Sequence, residues 1–106
     1  MQRIGDEWLS VGNPESLIPT TTSLEPPYPN PFNSTSLISF GLERASDTRL
    51  SLYDISGREV RQIIDSNLQA GSYEITFEAE NLSAGTYFLR LDTGYLAVTR
   101  KMILLK

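Results

Sequence analysis

Leu68-Gln69-Ala70-Gly71-Ser72-Tyr73-Glu74-Ile75-Thr76-Phe77 and Leu82-Ser83-Ala84-Gly85-Thr86-Tyr87-Phe88-Leu89-Arg90-Leu91 are two copies of one pattern. Each starts on a leucine, bends at a glycine, and passes through a hydroxyl residue to a tyrosine that opens an alternating run. Tyr73, Ile75 and Phe77 alternate with Glu74 and Thr76; Tyr87, Leu89 and Leu91 alternate with Phe88 and Arg90. Alternation with period two puts successive side chains on opposite faces, which is the pattern of a half-buried strand. Two copies are too few for a solenoid, which needs about three, so they read as one turn device used twice.

The same alternation extends outward from this pair. Ile38, Phe40 and Leu42 alternate with Ser39 and Gly41, and Leu50 and Leu52 alternate with Arg49, Ser51 and Tyr53. Near the end, Val98, Met102 and Leu104 share one parity, which Arg100 interrupts. Arg58 to Asn67 could be scored as a short helix on Val60, Ile63 and Ile64, but its β-branched content and the preceding Gly57 favour a strand. Asp54-Ile55-Ser56-Gly57 offers a side-chain acceptor followed by a glycine free to take positive φ, a hairpin turn between Tyr53 and Glu59. Thr93-Gly94 does the same before the last strand. Short strands bounded by turns predict an all-β sandwich or barrel of about seven strands.

A chain of 106 residues fits one domain and can bury a core without disulfides or metal. Its 40% hydrophobic and 21% charged content is globular. The net charge of -4 argues against a nucleic-acid or anionic-membrane binder, which needs a basic surface. No segment approaches the roughly 20 apolar residues of a membrane helix, so no direct membrane span is expected. Residues 1 to 5 show no positive region followed by an apolar stretch, so no signal peptide is visible; if the chain is part of an exported protein, its signal is expected upstream of residue 1.

The chain contains neither cysteine nor histidine. That removes thiolate and imidazole nucleophiles, general bases and zinc ligands. Carboxylates are the remaining acid–base candidates. Glu78 with Glu80 and Glu43 with Asp47 lie close in sequence, but nothing aims either pair at a pocket, and exposed charges mostly serve solubility. There is no calcium loop and no glycine-rich phosphate cradle. No catalytic, cofactor or metal residue is assigned, and an enzyme is not expected. The late basic residues Arg90, Arg100, Lys101 and Lys106 read either as a solvated strand face that protects an edge or as a docking surface.

Residues 1–23 lack sustained periodicity, and Pro14, Pro19 and Thr20-Thr21-Thr22-Ser23 read as a linker. The domain is expected over 24–106. Tyr28-Pro29-Asn30-Pro31-Phe32-Asn33 marks the boundary: each proline fixes its own φ and disfavours the helical region for the residue before it. The segment is expected to run stiff and extended, at an edge or lead-in because Pro29 and Pro31 cannot donate, with Tyr28 and Phe32 anchoring it to the core.

These stretches carry a family resemblance. Tyr28-Pro29-Asn30-Pro31-Phe32-Asn33 followed by Ile38-Ser39-Phe40 resembles the opening of the C-terminal sorting domains of type IX secretion cargo. Leu52-Tyr53-Asp54-Ile55-Ser56-Gly57-Arg58-Glu59-Val60 resembles that family's central hairpin, also similar to immunoglobulin-like modules of flagellar hook-capping proteins. Leu82-Ser83-Ala84-Gly85-Thr86-Tyr87-Phe88 resembles its glycine–tyrosine strand, and Lys101-Met102-Ile103-Leu104-Leu105-Lys106 its lysine-bounded ending. The order matches over about residues 24 to 106, with departures only at Ser56 and Ala84. The resemblance implies an immunoglobulin-like antiparallel β-sandwich that directs an exported cargo protein across the bacterial outer membrane to the cell surface. Its sorting-motif residues would be Tyr28, Pro29, Asn30, Pro31, Phe32, Asp54, Gly57, Arg58, Gly85, Tyr87, Lys101, Met102 and Lys106, the glycines acting through the fold and the lysines through contact.

Partners implied by the resemblance are the outer-membrane type IX machinery and, in some members, a surface sortase that cuts in the linker before Leu24. The route implied is periplasmic transit, then the cell surface or medium. Two other readings stand beside it: an accessory module binding glycan or protein, with Phe88 and Tyr95 as exposed aromatics, and a spacer. The open edges of a small sandwich also lead us to expect a monomer with some tendency to form a strand-swapped dimer.

Overall fold

The computed structural model describes residues 19–106. Most of the expected linker, with Trp8, Leu9 and Pro14, lies outside the described residues. Those described form seven strands and no helix: β1 (Ser23–Leu24), β2 (Thr35–Leu42), β3 (Ser46–Asp54), β4 (Glu59–Leu68), β5 (Gly71–Glu78), β6 (Gly85–Asp92) and β7 (Ala97–Leu104). Each alternating run in the sequence is a strand with its apolar parity turned inward. The segment after Gly57 is β4, whose Val60, Ile63, Ile64 and Leu68 pack on the core.

Two antiparallel sheets, β1-β2-β5 and β4-β3-β6-β7, face each other. This order is that of an immunoglobulin-like sandwich, with the fourth strand on the larger sheet. In one sheet Ile38 lies opposite Ile75 and Phe40 opposite Tyr73; in the other Leu50 lies opposite Leu91 and Leu52 opposite Leu89. Leu42, Leu50, Leu52, Leu89, Leu91 and Met102 are sealed from solvent, and each such side chain contributes about 1.5–3 kcal/mol by burial. Phe40 and Tyr73 stack with ring centroids 5.2 Å apart.

The repeated turn device has one geometry in both copies. The Tyr73 hydroxyl donates to the Gln69 carbonyl and the Tyr87 hydroxyl to the Ser83 carbonyl, each at 2.6 Å across four residues. Gly71 and Gly85 precede them at φ 154° and 151°, where a side chain is poorly tolerated. Tyr87 at the start of β6 is the tyrosine corner of immunoglobulin-like folds, in which the residue two further on is commonly a disulfide cysteine. Here that residue is Leu89, fully buried. The two corners open strands in different sheets and at opposite ends: Gly71 pairs with Leu42, and Gly85 with Leu104.

Two arginines close the sides of the sandwich. Arg61 of β4 reaches across to the carbonyls of Glu78 and Glu80 at 3.2 and 2.7 Å, its guanidinium 5.6 Å from the Phe77 ring centroid. On the other side Arg100, at core parity on β7, donates from Nε to the Leu24 carbonyl at 2.8 Å. The residue that interrupts the apolar parity of β7 is thus a tie between sheets and not part of a free basic face. Register shifts at Leu50/Ser51 and Leu52/Tyr53 add bulges to β4, which twist an edge away from further pairing.

Removing the corner hydroxyls is expected to separate the two copies. The Tyr87 bond is partly buried and the Tyr73 bond is exposed, so Tyr87→Phe should cost about 1–2 kcal/mol and Tyr73→Phe below about 1 kcal/mol. Urea unfolding of both variants checks this; equal losses would contradict it.

Candidate recognition site at one end of the sandwich

Residues 28–33 do not run extended, as the prolines alone suggested. The backbone bends through Pro29, Asn30 and Pro31, and both the Tyr28–Pro29 and Asn30–Pro31 bonds are cis. The chain has to change sheets here. Tyr28 forms an antiparallel bridge with Leu37 of β2, and Phe32 a parallel bridge with Leu104 of β7. Facing sheets lie about 10 Å apart, so a straight run along one edge could not make both contacts.

The anchoring expectation holds for Phe32 and fails for Tyr28. Phe32 is 2% exposed and meets Phe77 edge-on at 6.2 Å. Tyr28 is 78% exposed. Its partner Leu37 has the outward parity of β2, since Ser36 and Ile38 point in, and a paired residue shares its partner's face. Ser36 stands at core parity because its hydroxyl donates to the Pro29 carbonyl at 2.9 Å, which satisfies a polar group that burial would otherwise penalise.

Asn30 makes the closest link to the last strand. Its Nδ2 donates to the Lys101 carbonyl at 2.7 Å, and its Oδ1 accepts from the Ile103 amide at 2.9 Å. The Phe32 amide then donates to the Ile103 carbonyl at 2.9 Å, and the Leu105 amide to the Phe32 carbonyl at 2.7 Å. The outer edge of β7 is therefore occupied, first by a side-chain amide and then by backbone. A shallow open groove of about 350 Å³ lies alongside, lined by Pro29, Pro31, Phe32, Asn33, Ser34, Thr35 and Leu105.

The hairpin motif is local chemistry at the same end. Asp54 Oδ1 accepts from the Ser56 amide and hydroxyl and from the Arg58 amide at 2.9, 2.6 and 3.0 Å. Its Oδ2 faces Arg58 at 3.4 Å. The Ser56 hydroxyl, then the Arg58 amide, hold the Asp54 carboxyl below its ordinary pKa. Gly57 has φ 88° with open space where a Cβ would lie, so backbone conformation and not crowding requires glycine there.

Strand register brings these pieces together. Asp54, Tyr87 and Met102 form one row across β3, β6 and β7, and Gly85 pairs with Leu104. Tyr28–Phe32, the 54–58 turn, the Gly85–Tyr87 corner and Lys101–Lys106 thus share one end of the sandwich. Met102, Phe32 and Tyr87 are core residues there. Tyr28, Pro29, Pro31, Arg58, Lys101, Leu105 and Lys106 are exposed. Sequence reasoning did not single out Leu105, Arg61 or Thr22. Asn30 carried one signal: it sits between two residues without N–H groups, so its side chain is the local source of hydrogen bonds.

Asn30→Ala is expected to leave the fold intact and free the outer edge of β7. Amide hydrogen exchange at Ile103 should quicken about 2- to 10-fold, the worth of one net hydrogen bond, while Leu91 in the core stays unchanged. Unaltered exchange at Ile103 would show that the clasp does not hold that edge.

No curated protein and no solved structure matches the chain. A family model described as a secretion system C-terminal sorting domain matches residues 27–105. That span takes in the sandwich from the clasp to the end of β7, and it favours sorting over the accessory-binding and spacer readings. The chain belongs to the secretion system C-terminal sorting domain family, and as such is a sorting signal for type IX secretion.

Proposed function

We propose that the secretion machinery reads the end of the sandwich where residues 28–33 clasp β7. Type IX sorting implies contact with that machinery and export to the cell surface or extracellular space. One observation carries this reading: motif stretches scattered over the sequence converge on that end. Its surface is apolar and cationic. Tyr28 and Leu105 are exposed hydrophobics, Pro29 and Pro31 line the groove with Leu105, and Lys101, Lys106 and Arg58 are exposed at the same end. Exposed apolar groups clustered inside a polar rim mark contact surfaces.

On this reading Phe32, Met102, Tyr87, Gly57 and Gly85 act through the fold, Asn30 positions the last strand, and Tyr28, Lys101 and Lys106 make contact. The domain acts as an address without catalysis, for a chain that supplies neither histidine nor cysteine. It passes through the periplasm folded, and a surface sortase removes it in those cases where the cargo is anchored. The domain is a monomer with a minor strand-exchanged dimer. β7 is clasped, so exchange would use β4 or β5, which pair on one side only among the described residues. Light scattering that finds only monomer over a wide concentration range would remove the dimer.

The test is secretion of a reporter carrying a signal peptide and residues 1–106, in a host with a type IX system. Deleting Lys101–Lys106 is a poor control, because Met102 and Leu104 belong to the core. Surface changes serve better: Tyr28→Ala and Leu105→Ala with Lys106→Ala should cut export about tenfold or more, as loss of a contact hot spot does. Glu43→Ala and Leu96→Ser at the other end should not. Export of the motif-end variants at the wild-type level would place the reading surface elsewhere, and retention of the unaltered fusion would defeat the sorting role in that host.

A further inference from the structure

Opposite the recognition end, the last residues of the expected linker are fastened to the sandwich. The Thr22 hydroxyl and the Tyr95 hydroxyl share a hydrogen bond of 2.7 Å, and the Glu43 amide donates to the same Thr22 oxygen at 3.2 Å. Thr22 is buried. The Arg44 guanidinium lies over the Tyr95 ring, 3.9 Å from its centroid. Pro19 packs so closely on β2 that a Cβ built on Gly41 would fall 2.8 Å from the Pro19 Cγ. Ser23 then pairs with Gly41 and Leu24 with Phe40.

Proteases take their substrates as extended, accessible segments, and cleave folded chains where the backbone is free or opens locally. Backbone that is paired in β1, or tied through Thr22 and Pro19, has to open before it can be cut. The strap and the clasp also lie at the two ends of β2, whose eight residues span about 25 Å at roughly 3.3 Å each. A partner seated on one end leaves the other uncovered.

We infer that residues 19–23 are a latched extension of the domain, closed by Thr22 on Tyr95, and that a protease cuts this strap only after the latch opens. The latch does not depend on the proposed sorting surface. It makes residues 19–23 a defined strap at the end of the sandwich opposite the clasp.

Limited digestion of the 106-residue chain with a broad-specificity protease, followed by mass measurement of the resistant fragment, tests the latch without any secretion host. The fragment should begin at Pro19 or upstream. Tyr95→Phe, which keeps the ring under Arg44 and removes the hydroxyl, should raise cutting within residues 20–27 by about 2- to 10-fold. Gly41→Ala, which displaces Pro19, should do the same, while the fragment's C-terminal limit stays unchanged in both. A wild-type fragment beginning at Thr20 or later, or variants that cut like wild type, would overturn the latch. A failed export assay beside an intact latch would count against the sorting surface alone.

Discussion

The side-chain amide of Asn30, set against the backbone of β7 at Lys101 and Ile103, is the contact on which the motif-bearing end of the sandwich depends. It lets a segment with two prolines occupy a sheet edge to which Pro29 and Pro31 can offer no N–H, before the Phe32 backbone takes over the pairing. The bend it requires brings Phe32 over Phe77, turns the Pro29 carbonyl to Ser36, and leaves Tyr28 facing solvent. Without that amide the stretch 28–33 would be held to 101–105 through the Phe32 backbone alone. With it, two motifs at opposite ends of the sequence form one surface.

The two sides of the sandwich are closed by different devices, and both use arginine to satisfy backbone carbonyls instead of carboxylates. Arg61 does so for Glu78 and Glu80, and Arg100 for Leu24. A guanidinium suits this because it offers several donors in a fixed plane on a long apolar stem. The basic residues late in the chain are therefore not one population. Arg100 is committed to the fold, Arg90 faces Asp92 at 3.5 Å, and Lys101 and Lys106 project into solvent.

The strands were legible because alternation is a local property. Any residue inside a ladder has its face set by its neighbours, so Ile38, Leu52, Tyr73 and Leu89 could be placed from sequence. The corner device was legible as a repeat, and its hydrogen bond is local, four residues long. Tyr28 was not legible. It lies outside the regular strands, and its face is set by Leu37, nine positions away, through a bridge that no local pattern announces. Asn30 was visible within a motif, but its partners lie more than seventy residues on. Thr22 looked like linker because Thr20–Ser23 is compositionally bland, whereas its place is fixed by Tyr95 at the far end of the chain.

Leu89 stands where related sandwiches commonly put half of a disulfide, and the corner beside it is held by a tyrosine hydroxyl. Oxidation therefore contributes nothing to holding the two sheets together. The sandwich has the same covalent structure in reducing and in oxidising surroundings, and it reaches its native state without an oxidant or an isomerase to pair its thiols. Nothing in its core changes when it crosses from one redox compartment to another.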